Sequence, residues 1–384
     1  MDNKWDMLES SNEDREKIWT KNRTFAGDVW FRFRHKPTSI AGFVIILLLI
    51  LFAAFGPLFT KYSYSVQDLE VVNIPPRMKV YETPDNTGYL YITQAMKVLQ
   101  VNSDGTLGIQ LKKVREESER MMTIFDCNGT EVALYYGQKP YVIANPENNT
   151  IYRSKNIWNK SYLLGTDNLG RDILTRLMYG TRVSLMVAFV AVAVNLVIGV
   201  LYGGISGYLG GNVDAVMMRI VDIIYAMPSM IYVILIMMVL GSNVRSILIG
   251  ICIPGWIGMA RQVRGQLIAL KEQEFSMAAL VIGASDARIL FRHLLINAIG
   301  PIIVQITFLV PNAIFTEAFL SFIGIGISAP MASWGSMAQD ARQVLTMHPG
   351  QLLLPTICIC ITIFSLNFLG EGIGDAFNPK KTRG

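Results

Sequence analysis

Residues 271–300 read KEQEFSMAALVIGASDARILFRHLLINAIG. This polar-faced stretch decides the fold, because long apolar runs lie on both sides of it. Gln273 to Ile282 are mostly helix formers. Gly283 can take the positive φ that ends a helix, and Ser285 or Asp286 can cap a second helix by accepting from its free N–H groups. The expectation is helix, break, helix. Glu274 precedes the small pair Ala278 and Ala279, and Asp286, Arg288, Arg292 and His293 follow the break. Two small residues leave a shallow place where a partner's side chains can approach. An ordinary amphipathic surface helix would show the same pattern.

Working outward, the chain has 384 residues, 52% of them hydrophobic and 16% charged, against about 25% charged in a soluble domain. Its mean hydropathy is +0.37. A membrane span needs about 20 apolar residues, and six stretches are read as spans. The first runs from Ser39 to Phe59 and the second from Val183 to Tyr208. The third lies between Asp222 and Arg245, with a kink expected at Met227-Pro228. The fourth, around Gly241 to Arg264, is loosened by Gly250, Pro254, Gly255 and Gly258. The fifth follows His293 and holds a single acid, Glu317. The sixth lies between Arg342 and Glu371. The charged segment before Lys36 is too long for a cleavable signal peptide.

Lys and Arg set orientation. Lys21, Arg23, Arg32, Arg34 and Lys36 precede the first span, Arg261, Arg264, Lys271, Arg288 and Arg292 flank the central stretch, and Lys380, Lys381 and Arg383 close the chain. Six spans place all three groups on one side, so both termini are expected in the cytoplasm. Residues 1–38 are then a cytoplasmic tail and interfacial segment, where Trp30, Phe31 and Phe33 suit the headgroup level. Residues 39–60 are the first span, 61–161 an insert outside the membrane, and 162–384 the remaining core.

The insert is tyrosine-rich and punctuated by hairpin-type turns at Asp85-Asn86-Thr87-Gly88, Ser103-Asp104-Gly105 and Cys127-Asn128-Gly129. Short strands such as Gly88 to Ile92 and Glu131 to Tyr136 fit between them, and Val114 to Met122 reads as one short helix. A small β-rich domain is expected. After it come Gly165, Thr166, Asp167, Gly170, Arg171 and Asp172, where Thr166 or Asp167 can cap a helix from about Asn168. Ile173, Leu174, Leu177 and Met178 would share its apolar face, opposite Asp172, Thr175 and Arg176, so it is expected to lie along the membrane interface. Arg219 and Asp222 are spaced to pair on one helix face. A lone acid at membrane depth such as Glu317 faces a bundle interior or a watery path.

Four cysteines show neither disulfide nor zinc spacing. No G-x-x-x-x-G-K-[ST], H-E-x-x-H or G-x-S-x-G word occurs, and His35, His293 and His348 are far apart. A membrane enzyme therefore lacks a catalytic constellation. A proton-coupled secondary carrier using Glu317 would need an inverted repeat, and none is visible. The net charge of +5 points to no nucleic-acid partner.

Several words resemble one family. Ala278, Ala279 and Gly283 resemble the E-A-A-x-x-x-G loop of bacterial ABC-importer membrane subunits, with Met277 in place of the acid. The string from Gly165 to Asp172, followed by Gly180, Arg182, Ser184 and Leu185, resembles the G-T-D-x-x-G-R-D and G-x-R-x-S-L words of the peptide/nickel permease group. Glu317 to Gly326, then Ser333-Trp334-Gly335, and a closing segment with Asp375 but with Asn378 and Lys380 departing, are similar to further words of that group. The resemblance implies an all-α polytopic permease with six transmembrane helices, of the oligopeptide/dipeptide type and moving peptides by ATP-driven alternating access, with nickel or another small solute as the alternative cargo. It also implies a cytoplasmic coupling helix at about residues 272–293, with Glu274, Ala278, Ala279, Gly283, Asp286 and Arg288 as the residues that meet the ATPase. The implied partners are a homologous second permease subunit, two ATPase subunits that bind ATP and Mg, an extracytoplasmic substrate-binding protein, a peptide substrate and membrane lipid. This chain itself would hold no cofactor.

Overall fold

The structure, a computed structural model, describes residues 24–137 and 139–377. Lys21, Arg23, Asn378, Lys380, Lys381 and Arg383 lie outside them. Helix α1 (Phe25–Arg34) starts at Thr24, whose hydroxyl accepts from the Gly27 N–H. Helix α2 (Pro37–Phe55) begins on a proline, which tolerates a first-turn position because its missing N–H would have no partner there, and runs on into a 3₁₀ turn at Gly56–Phe59.

The insert folds as two antiparallel sheets. Strands β1 (Arg77–Glu82), β2 (Gly88–Ile92), β3 (Val98–Asn102) and β4 (Leu107–Gln110) form the first, in the order β4-β3-β2-β1-β9, with β9 (Ser154–Trp158) pairing back onto β1. Strands β5 (Lys112–Glu117), β6 (Met122–Cys127), β7 (Thr130–Tyr135) and β8 (Val142–Ala144) form the second, in sequence order. Tyr81, Leu90 and Val98 from one sheet share a buried core with Phe125, Val132, Leu134 and Ile143 from the other. The turn at Asn128-Gly129 holds φ of 53° and 85°, the left-handed pair that tight hairpins need. The helix expected at Val114 to Met122 is absent. Lys113, Arg115, Glu116 and Glu117 pair instead with strand β6, so their charges line an exposed strand, with only a 3₁₀ turn at Ser118–Arg120.

Helix α3 (Ile173–Leu209) is one continuous element of 37 residues. The separate interfacial helix expected before the second span is therefore not there, since its residues are the first turns of that span. It starts at Ile173 and is capped by Asp172, whose carboxylate accepts from Thr175 N at 2.8 Å and Thr175 Oγ1 at 2.6 Å. Thr166 and Asp167 do not cap it. Thr175 and Arg176 are as buried as Ile173 and Leu177, so the expected polar face is covered by the protein.

Helices α4 (Gly211–Tyr225) and α5 (Ser229–Leu240) meet at a 73° bend. The bend falls at the expected Met227-Pro228, where the helix is interrupted between Tyr225 and Ser229. Helices α6 (Val244–Gly255) and α7 (Ile257–Lys271) continue through Trp256 as one candidate span. Helix α8 (Glu274–Val281) is short, and α9 (Ile299–Phe322), α10 (Trp334–Arg342) and α11 (Pro349–Phe377) complete the described fold. Among the described residues, five helical stretches are long and apolar enough to cross a membrane, and the bent pair makes a sixth only if counted as one span. Asp222 pairs with Arg261 on α7 at 2.8 Å, not with Arg219 as spacing suggested. Asp214 binds Arg264 with two contacts of 2.5 Å.

Helices α3 and α7 pack against each other at close range. Gly203 and Gly207 make it possible, because a Cβ on Gly203 would overlap the Ala260 carbonyl and one on Gly207 would meet the Arg264 carbonyl at 2.8 Å. A backbone oxygen cannot swing away. Gly203→Val should therefore cost at least about 1–3 kcal/mol and lower the melting temperature of the detergent-purified protein, whereas Gly265→Val, at an open position on α7, should leave it near that of the parent.

Candidate functional site

Three groups of residues carry the sequence signals. The first is the segment after α7. Helix α8 ends with the Gly283 N–H bonded to Leu280 O at 3.0 Å and the Ala284 N–H bonded to Ala279 O at 3.1 Å. Gly283 sits at φ +83°. This paired closure is the Schellman ending, and it needs the left-handed residue that Gly283 supplies. Ser285 occupies the next N-cap position without a side-chain bond. The helix expected after it is only Asp286–Arg288, giving way to a π-helical turn at Ile289–Leu294. Tyr208 Oη at the end of α3 donates to Asp286 Oδ1 at 2.5 Å, and Lys271 Nζ donates to Tyr208 O at 2.7 Å. The segment is thus tied to a long span.

The two small residues do not share a face. Ala278 is exposed, whereas Ala279 is half-buried against a core that includes Tyr208, Val263 and Leu290. The open face is apolar instead: Met277, Leu280, Val281 and Ile282 are exposed, the last two by 87% and 85%. Glu274 and Arg288 flank it and are exposed.

The second group is the run from Gly165 to Asp172, and nearly every residue in it has a structural use. Gly165 and Gly170 take φ of +83° and +72°, and a Cβ on either would overlap a backbone carbonyl, of Ile74 and Asp68 respectively. Thr166 Oγ1 accepts from Ile74 N at 2.8 Å and donates to Val71 O, tying the base of the insert to the core. Asp167 accepts from the N–H groups of Leu169 and Arg171, from Arg171 Nε at 2.7 Å and from Arg176 Nη1. Both guanidiniums also reach Asp340 Oδ2 on α10, at 2.9 and 3.0 Å. Gln351, near the start of α11, donates to Thr166 O at 3.0 Å and to Asn73 Oδ1 at 3.1 Å. Burial pushes the Asp172 carboxyl above its usual range, against the pull of the donors it holds.

The third group surrounds Glu317, which is fully buried. Ser184 Oγ and Ser321 Oγ donate to its two oxygens, each at 2.9 Å. Ser184 also accepts from Trp334 N at 3.3 Å, and Trp334 Nε1 donates to Thr181 Oγ1 at 3.2 Å. The node therefore joins α3, α9 and the start of α10. Arg182 donates to the Ala53 and Ala54 carbonyls, where α2 runs out of its own N–H donors. Asp375 receives Lys36 Nζ, which also reaches Glu371 at 3.2 Å. That contact, led by the bond to Asp375, holds the Lys36 amine above its usual range.

Sequence reading missed Asp340, which completes the charge group. It lies on a nine-residue helix, far from the Gly165 to Asp172 run, so no spacing rule reaches it. It also missed that Ser184, which donates to Glu317, accepts from the backbone of Trp334, though the two are quoted within separate words. Among the described residues, no group of three or more His, Cys, Asp or Glu is placed to hold a metal.

The family model "Binding-protein-dependent transport system inner membrane component" matches residues 196–383, and "N-terminal TM domain of oligopeptide transport permease C" matches residues 24–76. The chain is 37% identical over 367 residues to the oligopeptide transport system permease protein OppC of Bacillus subtilis, covering 96% of this chain and 93% of the relative. It is 32% identical to the dipeptide transport system permease protein DppC of the same organism, covering 99% and 93%. It is 44% identical to OppC of Escherichia coli, covering 57% and 72%.

Asp167→Asn removes one of two carboxylates facing two buried guanidiniums. Breaking a buried pair costs about 3–5 kcal/mol, so this variant should melt well below the parent in detergent. Exchange of the exposed Glu274 for Gln should leave the melting temperature within a degree or two of the parent.

Proposed function

The chain belongs to the oligopeptide/dipeptide permease family of ABC importers, and from that membership we propose that it forms half of a path carrying peptides across the bacterial cytoplasmic membrane by alternating access. The observation that carries this is the match to a peptide permease along nearly the whole of both chains. The other half would be a homologous permease subunit, and an extracytoplasmic binding protein would deliver the peptide. ATP and Mg would be bound and turned over on two separate ATPase subunits, so this chain would perform no covalent chemistry and hold no cofactor. Both termini would lie in the cytoplasm, and the insert outside it.

The segment from Glu274 to Arg288 would be the coupling helix. Its open apolar face supports this, because exposed aliphatic side chains grouped on a short helix end mark a contact surface. The half-buried Ala279 would transmit docking into the core beneath it, leaving Ala278 as the small residue facing outward. Motion of the ATPases would reach α3 through the Tyr208 to Asp286 bond, a rigid-body switch around a fixed path.

Val281→Asp and Ile282→Asp should each leave the chain inserted and folded but reduce co-purification of the ATPase subunits, with peptide uptake falling by more than tenfold. Gly283→Val should act similarly, since a left-handed backbone costs a non-glycine residue about 1–2 kcal/mol. Full ATPase retention and uptake in all three would reduce the segment to a surface helix, and uptake of nickel without uptake of peptides would overturn the substrate. In intact cells, Ser103→Cys in the insert should react with a membrane-impermeant thiol reagent beyond the parent's background, and protection until lysis would reverse the topology.

A further inference from the structure

Between α3, α5, α6 and α9 lies a cavity of about 270 Å³. Its polar lining is Asn195, Ser229, Gln305, Asn312 and Thr316, and among the described residues none that lines it is charged. Asn312 and Thr316 share a face of α9 one turn apart, with Gln305 two turns earlier on that face. Asn312 sits near the middle of α9 and Asn195 well inside α3. The cavity therefore lies at membrane depth.

Two observations point to a ligand. Asn195 is 3% exposed, yet its Oδ1 has no hydrogen-bond partner among the described residues. A buried amide oxygen left unpaired is costly unless something else reaches it. Gly255 leaves room beside it, because a Cβ there would overlap the Asn195 amide in its present position. Second, Ser229 and Asn312 are exposed in the chain by itself. Lipid tails offer an amide no partner, so this face meets water or a polar occupant rather than hydrocarbon. Glu317, next to Thr316 in sequence, does not contribute, because both its oxygens are taken up by Ser184 and Ser321 on the buried side.

We propose that this neutral cavity is where the transported peptide is held by its backbone, a deepening that rests on the peptide-permease reading above. Side-chain amides carry both a donor and an acceptor, matching the C=O and N–H that every peptide presents regardless of its side chains. The absence of charge in the lining leaves acidic, neutral and basic peptides on equal terms.

The test uses the whole importer in proteoliposomes, with uptake of three tripeptide sets bearing acidic, neutral or basic side chains. A net hydrogen bond is worth about 0.5–1.5 kcal/mol, so Asn312→Leu and Gln305→Leu should each lower uptake of all three sets together by roughly 2- to 10-fold in complexes recovered at wild-type yield. Asn312→Asp and Asn312→Lys should create preferences of opposite sign, for basic and for acidic peptides respectively. These two decide the matter if a leucine variant fails to assemble. Wild-type uptake by the leucine variants, or the same preference in the Asp and Lys variants, overturns the site while leaving the peptide reading intact. A wild-type complex that transports no peptide overturns both.

Discussion

Two carboxylates and two guanidiniums, the buried Asp167, Arg171 and Arg176 and the half-buried Asp340, set the terms for one end of this molecule. Buried charges persist only when paired and hydrogen-bonded, and here each acid is bridged to both bases. The pairing fixes where α3 begins and where α10 crosses it. Around it, Thr166 holds the base of the insert and Gln351 holds the start of α11. Asp340 is partly exposed, so the group keeps one edge in water, which eases its desolvation.

This cluster explains which parts of the chain could be read from sequence. The apolar runs, the β-rich insert and the left-handed Gly283 follow from composition and from residue-by-residue stereochemistry, which are local properties. The start of α3 does not. Thr166 and Asp167 are good caps by type, but their oxygens are taken up by Val71, Ile74, Arg171 and Arg176, so Asp172 caps instead. Arg176 looked like a solvent-facing residue until Asp340, on a distant helix, supplied its partner. Val114 to Met122 carried helix-like charges, yet strand β6 was available to pair with, and cross-strand bonding outweighs a weak helical preference. Ala278 and Ala279 differ in exposure only because the core under α8 reaches one of them.

Polar groups within the bundle fall into two kinds. Glu317, Ser184, Ser321, Trp334 and Thr181 bond to one another, so they cement α3, α9 and α10 and leave little for a ligand to gain. Asn195, Gln305 and Asn312 are neutral and incompletely matched among the described residues, and they gather around a space rather than around each other. Hydropathy alone cannot separate the two kinds, because each is a scatter of polar residues in apolar helices. Only the partners of each atom make the distinction.

Helices α2 and α11 pack against each other. A Cβ on Gly42 would overlap the Ser365 carbonyl, one on Gly372 would overlap the Ser39 hydroxyl, and Lys36 closes the end of the pair on Asp375. About 300 residues separate the two helices, so at a synthesis rate of about 5–20 residues per second the first waits roughly 15–60 s for its mate. Through that interval α2 must survive in lipid on its greasy face of Phe43, Leu47, Leu48 and Leu51, with the notch at Ser39 and Gly42 uncovered. Closure of this notch is therefore tied to synthesis of α11, and a chain cut short before Pro349 would present the open notch to whatever surveys the membrane for unfinished proteins.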